Sequence, residues 1–265
     1  MSSAHKPMIL ELTDVCFAYP GNGPLIDHMS FAVGEGEFMG LLGANGSGKS
    51  TILKLGSGIM RPSSGSLMLW GKDLHSYKNK DRAKLISYLP QALDINVPFT
   101  IKELVSMGMY PYDIPPSISA EEALSLVGLS DKAGAQITDL SGGERRRTFI
   151  AMTLVQGAGL LLLDEPLANL DIKYQIELLK LLRKIREEKN ISVVMALHDI
   201  NMALQFEKVI LIKKGHILGF GMPENVLSEE HIMNAFDVEV KIMRQPDGKA
   251  YISYDEPLRD ERTSG

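Results

Sequence analysis

Three groups of residues have the types and spacing to do chemistry. Gly43-Ala44-Asn45-Gly46-Ser47-Gly48-Lys49-Ser50 brackets a tight loop with glycines and ends it in a lysine and a hydroxyl. It fits the pattern G-x-x-x-x-G-K-[ST] of phosphate-binding loops. Glycines let the backbone curl until successive N–H groups point inward at an anion. A helix that starts at the end of the loop adds the positive end of its dipole. Lys49 is expected to reach the outer phosphates, and the Ser50 hydroxyl to ligate Mg2+. The second group, Leu160-Leu161-Leu162-Leu163-Asp164-Glu165-Pro166, is an apolar run that ends in two carboxylates. In an open parallel sheet, the carboxyl end of such a strand faces the ligand crevice. There Asp164 would hold Mg2+, partly through water. Glu165 would polarise an attacking water as general base. The third group is Leu197-His198-Asp199, which follows the next apolar run. It puts His198 at the same edge, where a terminal phosphate is sensed.

The elements that position these groups alternate. Ile9 to Phe17 reads as a strand, and Asn22-Gly23-Pro24 as a turn. Glu37 to Leu42 is a short strand entering the loop, and Ser50 to Gly58 the helix leaving it. Leu85 to Leu89 is a strand stopped by Pro90. From about Ala92 to Gly157, Pro98, Pro111, Pro115 and Pro116 punctuate a mainly helical stretch. Its candidate helices are Ile101 to Gly108 and Ala120 to Val127, the latter with Ser119 and Glu122 as a capping box. Leu160 to Leu163, Ser192 to Leu197 and Val209 to Ile212 are buried strands. Ile172, Ile176, Leu179, Leu182 and Ile185 recur at helical steps, so Ile172 to Lys189 is a helix with one apolar face. Val238 to Met243 and Ala250 to Tyr254 flank Pro246-Asp247-Gly248, the signature of a hairpin. This alternation predicts an α/β fold with a largely parallel core sheet.

Composition sets the class. The chain has 265 residues, 45% hydrophobic and 23% charged, ordinary for a globular protein with a sizeable core. A net charge of −5 and a pI near 5.7 speak against nucleic acid as the main partner. The single cysteine, Cys16, excludes an intrachain disulfide and fits a reducing compartment. Cys16 reads as a small buried hydrophobe. No signal-peptide core stands at the N-terminus. The longest uncharged stretch, Thr148 to Leu163, spans 16 residues. A membrane span needs roughly 20 apolar residues, so membrane attachment is expected through a partner.

Leu140-Ser141-Gly142-Gly143-Glu144 is the most specific stretch of all. With it, the chain resembles the ATP-binding subunits of ABC transporters, from about Ile9 to about Tyr254. The resemblance implies a P-loop NTPase cassette with a RecA-like core sheet, an N-terminal antiparallel β subdomain and a helical insert. It implies one domain over residues 1–265, the insert over 92–157 and a terminal hairpin over 237–256. Ser141, Gly142 and Gly143 look like the signature motif, a second anion site that faces the γ-phosphate of ATP held by another copy. Two ATP molecules are then sandwiched in a head-to-tail homodimer. Ser141 also reads as a helix N-cap with Glu144 at the third position, and both roles are compatible.

The same resemblance assigns Tyr19 to stacking on adenine. It assigns Gly43, Asn45, Gly46, Ser47, Gly48, Lys49, Ser50 and Thr51 to ATP, with Ser50, Gln91 and Asp164 around Mg2+. Gln91 looks like the glutamine that couples the site to the membrane subunit. Asp171, in Ala168-Asn169-Leu170-Asp171, looks like the loop that crosses the dimer interface, or equally the N-cap of its helix. Catalysis is expected to fall to Glu165, His198, Gln91 and Lys49. Three departures stand out: Arg145-Arg146-Arg147, where the family more often has a glutamine, Gln156-Gly157-Ala158-Gly159, and Gly56-Ser57-Gly58.

Pro98 to Gly108 and Ala235 to Val240 resemble the importer branch for ferric siderophores, haem and cobalamin. The implied function is ATP-driven import of a ferric siderophore or related metal complex in a bacterium or archaeon. Cobalamin, haem, molybdate and zinc or manganese are the rival cargoes. The implied partners are membrane permease subunits and, indirectly, a substrate-binding protein. The implied place is the cytoplasmic face of the cell membrane, peripherally bound. A soluble ABC ATPase acting on nucleic acid or ribosomes is a remote rival, because such proteins usually carry two cassettes in one chain.

Overall fold

The computed structural model describes residues 7–92, 97–112, 118–168, 170–246 and 250–254. A six-stranded sheet forms the centre, in the order β10 (His216–Gly221), β9 (Lys208–Lys213), β3 (Phe38–Gly43), β8 (Ser192–Leu197), β7 (Leu160–Leu163) and β6 (Ile86–Leu89). All its pairings are parallel except β10 with β9. Every residue of β3, β7 and β8 is buried, so successive side chains feed opposite faces. Met39, Leu41, Leu160, Leu162, Val194 and Ala196 join the core on one face. Phe38, Leu42, Leu161, Leu163, Val193 and Met195 join the core on the other.

The first core is closed by a four-stranded antiparallel sheet in the order β2 (Pro24–Gly34), β1 (Met8–Ala18), β4 (Ser64–Leu69) and β5 (Lys72–Asp73), and by α1 (Lys49–Gly56). The short α2 (Asn79–Ala83) leads from this sheet into β6. The second core is closed by α3 (Ile101–Ser106), α4 (Ala120–Leu126), α5 (Gly142–Gln156) and α6 (Ile172–Lys189). Three of these helices start the same way. Thr100 with Glu103, Ser119 with Glu122, and Ser141 with Glu144 each form a reciprocal capping box. Each box satisfies two otherwise orphaned backbone donors.

After β8 come α7 (Ile200–Ala203), α8 (Pro223–Val226) and α9 (Glu229–Phe236), then a two-stranded hairpin of β11 (Lys241–Arg244) and β12 (Ala250–Ser253). Asn201 on α7 bonds both the N–H and the carbonyl of Ile252, which ties the hairpin to the body.

Several expectations need correction. The helix from Ile101 ends at Ser106 and tightens into a 3-10 turn over Met107–Met109, so it does not run as α-helix to Gly108. The hairpin strand starts at Lys241, not Val238. Asp247 and Gly248 of its turn, and Pro115 and Pro116, lie outside the described residues. On α6 the apolar face is real only from the second turn. Leu178, Leu179, Leu182 and Ile185 are buried, but Ile172 is 75% and Ile176 45% exposed. Periodicity marks a face, and only the neighbours decide how far along it is covered. Cys16 is not buried in the core. It is partly exposed and sits among polar groups.

The unusual glycines have local reasons. Gly157 ends α5 at φ 65°, a left-handed cap that favours glycine. Its neighbour Gln156 then reaches back to the carbonyls of Ala83 and Ile86 and to Ser87.

Candidate functional site

The loop between β3 and α1 and the end of β7 face one cleft. Its lining includes Leu25, Asn45, Gly46, Gly48, Lys49, Ser50, Thr51, Gln91 and Glu165. α1 begins at Lys49, directly after Gly48 in the left-handed region at φ 109°. The first-turn N–H groups of α1 therefore open toward the loop, a ready anion site. Ser47 Oγ is buried without a partner, an unspent polar group in the loop.

Lys49 is only 5% exposed. Its Nζ donates to the carbonyls of Gly43 at 2.7 Å and Ala44 at 3.3 Å, and stands 3.6 Å from Glu165 Oε1. Burial lowers its pKa and the Glu165 charge opposes that. Ser50 Oγ donates to Asp164 Oδ1 at 3.0 Å, and Tyr88 OH to Asp164 Oδ2 at 3.3 Å. Asp164 is buried, which raises its pKa, while the Ser50 hydrogen bond lowers it. Burial also pushes the Tyr88 phenol up, with the Asp164 charge next in importance. The Ser50 hydroxyl and Asp164 carboxylate are hard oxygen donors side by side, a set suited to Mg2+.

Glu165 adopts φ 47°, a left-handed conformation that costs a non-glycine residue of order 1–3 kcal/mol. Gln91 Nε2 donates to its Oε2 at 2.8 Å. His198 is exposed at the end of β8 and lines a recess shared with Glu165, Leu167, Ala168 and Gln175. Tyr19 is 37% exposed, packs edge-on to Phe17 and lies 3.4 Å through its OH from Thr51 Oγ1. Thus Tyr19, Gly43 to Thr51, Gln91, Asp164, Glu165 and His198 come together.

Ser141, Gly142, Gly143 and Asp171 do not join them. Ser141 and Gly142 are exposed at the start of α5, and neither lines the cleft. Asp171 precedes α6 with its side chain exposed and making no cap hydrogen bond, so it is not a side-chain N-cap. Within one chain, the Ser141 to Gly143 segment therefore stands apart from the cleft.

The sequence reading missed the use made of Arg146. The guanidinium is 5% exposed and donates to four backbone carbonyls: Pro90 at 2.9 Å, Gln91 at 2.8 Å, Asp164 at 2.5 Å and Pro166 at 3.3 Å. It clamps the segment carrying Gln91 to the segment carrying Asp164 and Glu165, and does so from the helix that Ser141 begins. Burial lowers its pKa, while the charges of Asp164 and Glu165 hold it up. The available signal was spacing: Arg146 shares a helical face with Gly142 and Ile150, and Ile150 is buried. Tyr88 and Leu25 were also missed.

The ABC transporter family profile matches residues 26–168, which include the phosphate loop, Ser141 to Glu144 and the end of β7. The chain belongs to the ABC transporter family. The cassette is 38% identical over 227 residues to a petrobactin import ATP-binding protein of Bacillus anthracis, covering 83% of this chain and 84% of that one. It is 35% identical over 242 residues to a hemin import ATP-binding protein of Rhodopseudomonas palustris, covering 88% and 92%. A solved dimeric ATP-binding cassette, in a post-hydrolysis state with ADP and Pi, superimposes with a TM-score of 0.73 at 26% identity, covering 81% of this chain and 99% of that one. This cassette is therefore an ATP-hydrolysing enzyme, and cassettes of its family pair with one another and work with membrane permeases. Among the described residues, no helix is long and apolar enough to cross a membrane.

Proposed function

We propose that this cassette powers import of a ferric siderophore or a related metal complex, as one of two copies bound to permease subunits at the cytoplasmic face of the membrane. The observation that carries the mechanistic part is the split site. Phosphate loop, Asp164, Glu165 and His198 converge in one chain, while Ser141 to Gly143 face outward, available to a second copy.

ATP fits the cleft with its phosphates on the loop amides and its adenine against Tyr19. Lys49 then leaves the carbonyls of Gly43 and Ala44 for the outer phosphates. Ser50, Asp164 and Gln91 would hold Mg2+, which would supply charge neutralisation on the phosphates. Glu165 accepts the proton of the attacking water, and His198 bonds the terminal phosphate from beside it. The partner copy's signature segment closes the far side with the amides at its helix start, and Asp171 reaches across the interface.

Residues 92–157 form the insert that meets the permease. Phe99, Met107 and Tyr110 on it are 38%, 42% and 76% exposed, an apolar surface suited to a partner. The terminal hairpin of β11 and β12 is an appendage to the cassette. The cargo reading rests on the relatives named for petrobactin and hemin import, and a substrate-binding protein delivers that cargo on the other side.

Uptake of labelled ferric siderophores, haem, cobalamin, molybdate and zinc by cells with the wild-type chain or Glu165→Gln tests the proposal. Selective loss of an iron complex in the mutant is the expected result. Loss confined to cobalamin, molybdate or zinc overturns the cargo, and no loss across the panel overturns the importer reading.

A further inference from the structure

Away from the nucleotide cleft, five polar side chains from three strands converge on one surface. Asp14 and Cys16 come from β1, Asp27 and His28 from β2, and His216 from the start of β10. The pairing of β1 with β2 shifts register on both sides of Val15, and Asp14 and His28 adopt φ 53° and 47°. These irregularities re-aim side chains that a regular ladder would send elsewhere.

The donors are close. Cys16 Sγ lies 3.9 Å from Asp27 Oδ1 and accepts the backbone N–H of His28 at 3.3 Å. His28 Nε2 lies 3.9 Å from the same Asp27 oxygen. His216 Nε2 approaches the other oxygen, Oδ2, at 3.6 Å. One ligand atom each from Cys16, Asp27 and His28 all lie within 4.8 Å of one another. Tetrahedral zinc, with bonds of about 2.0–2.3 Å, sets its ligands roughly 3.3–3.8 Å apart. A contraction of about 1 Å or less brings the Cys16, Asp27 and His28 atoms to that spacing, and His216, 3.6 Å from the second Asp27 oxygen, is the exposed side chain that would swing in as the fourth donor.

The outer contacts suit a metal as well. His28 Nδ1 sits 2.6 Å from Asp14 Oδ1, so the carboxylate fixes the ring and leaves Nε2 as the ligand atom. A carboxylate behind a ligating histidine is the usual second layer of a metal centre. One sulfur, two imidazoles and one carboxylate favour a borderline-soft divalent cation over Mg2+ or Ca2+.

We propose that Cys16, Asp27, His28 and His216 bind a divalent cation of the zinc class, separate from the Mg2+ position beside Asp164. The site is tied to the phosphate loop through one residue. Gly215 accepts the Asp27 N–H at 3.3 Å and donates to the Ser47 carbonyl at 3.0 Å. Gly215 has φ 82°, and a Cβ there would meet the Leu25 carbonyl at 2.0 Å, so this turn is held tightly against β2. Leu25 itself lines the nucleotide cleft.

The test is titration of the reduced, nucleotide-free chain with Co2+, read by absorption, followed by displacement with Zn2+. A thiolate-to-cobalt charge-transfer band that saturates at one equivalent is expected. Cys16→Ser should abolish the band. His216→Ala should weaken binding, and Asp14→Asn should weaken it about 10–100-fold, as for other outer-layer carboxylates. Cobalt held at the Mg2+ position has no sulfur ligand, so Asp164→Asn should leave the band unchanged. No band at millimolar Co2+ overturns the site, and the five side chains are then a hydrogen-bonded surface cluster. A band that survives His28→Ala and His216→Ala combined also overturns it, because a lone thiol is then the binder. The readout needs no nucleotide, so it stands or falls independently of the transport reading.

Discussion

Gln91 donates a hydrogen bond from Nε2 to Glu165 Oε2 at 2.8 Å. With Lys49 at 3.6 Å from the other carboxylate oxygen, the proposed general base is engaged by one group proposed to bind the phosphates and one proposed to bind Mg2+. On the proposed mechanism, phosphates would draw Lys49 away and Mg2+ would draw Gln91 away, so that activation of the base would be coupled to substrate binding.

Glu165→Gln should therefore keep ATP affinity and lose turnover. Removal of a general base costs about 10²–10⁴-fold. Steady-state phosphate release should fall by that factor while calorimetry shows ATP binding intact. Turnover within tenfold of wild type would remove Glu165 from the mechanism.

Arg146 is expected to be a stability determinant as well as a positioning residue. Arg146→Met strips the donor from four carbonyls. Each unsatisfied buried group costs about 1–3 kcal/mol, so urea denaturation should show a loss of at least about 3 kcal/mol. Arg146→Gln restores up to two donors and should lose less. Equal losses in the two variants would mean that packing, not the carbonyl clamp, is what matters.

Ser141→Arg places a long cation on the exposed signature segment. ATP binding to the single chain should survive, since Ser141 does not line the cleft. ATP-driven dimerisation, followed by light scattering in a Glu165→Gln background, should be lost. A dimer that still forms with ATP argues against a composite site.

The start of α5 should also report on acid. The Lys132 ammonium, with the Ser141 backbone N–H next, holds the Glu144 carboxyl down to about 2. The unfolded-state value is about 4.3. A depressed carboxylate stabilises the fold above its unfolded pKa, and that contribution drains away as pH falls through the folded one. Wild type should thus exceed Glu144→Gln in melting temperature at neutral pH, with the gap closing between about pH 4.5 and pH 2. A gap that widens on acidification would contradict the pairing.

On α6, the two halves of one periodic stripe should respond differently. Leu182→Ala removes a side chain with 0% exposure and should cost about 2–5 kcal/mol. Ile176→Ala, at 45% exposure, should stay within about 0.5 kcal/mol. Chemical denaturation compares them directly.

Much of the site was legible because its parts are local. The phosphate loop needs glycines, a lysine and a hydroxyl at fixed steps, so Gly43 to Ser50 announce themselves in eight consecutive letters. Asp164 and Glu165 end a four-leucine strand, and a strand's carboxyl end is where a parallel sheet opens to its ligand. The capping boxes at Ser119 and Ser141 are four-residue signals, and both form. The strands of the antiparallel sheet beyond β1 were not read, because half-buried strands with register shifts lack clean alternation.

What the sequence by itself determined is the chemistry: which groups are suited to phosphate, which carry charge, and that they follow parallel strands. Those facts live within a few residues, where spacing alone sets geometry. What only the tertiary structure decided is who meets whom across the chain. It alone put Gln91 on Glu165, closed Arg146 around carbonyls from two separate segments, exposed Ile172 and Ile176, and brought Cys16, His28 and His216 each to Asp27. Each of those contacts depends on packing between elements distant in sequence, and no local periodicity records the neighbour that will stand opposite.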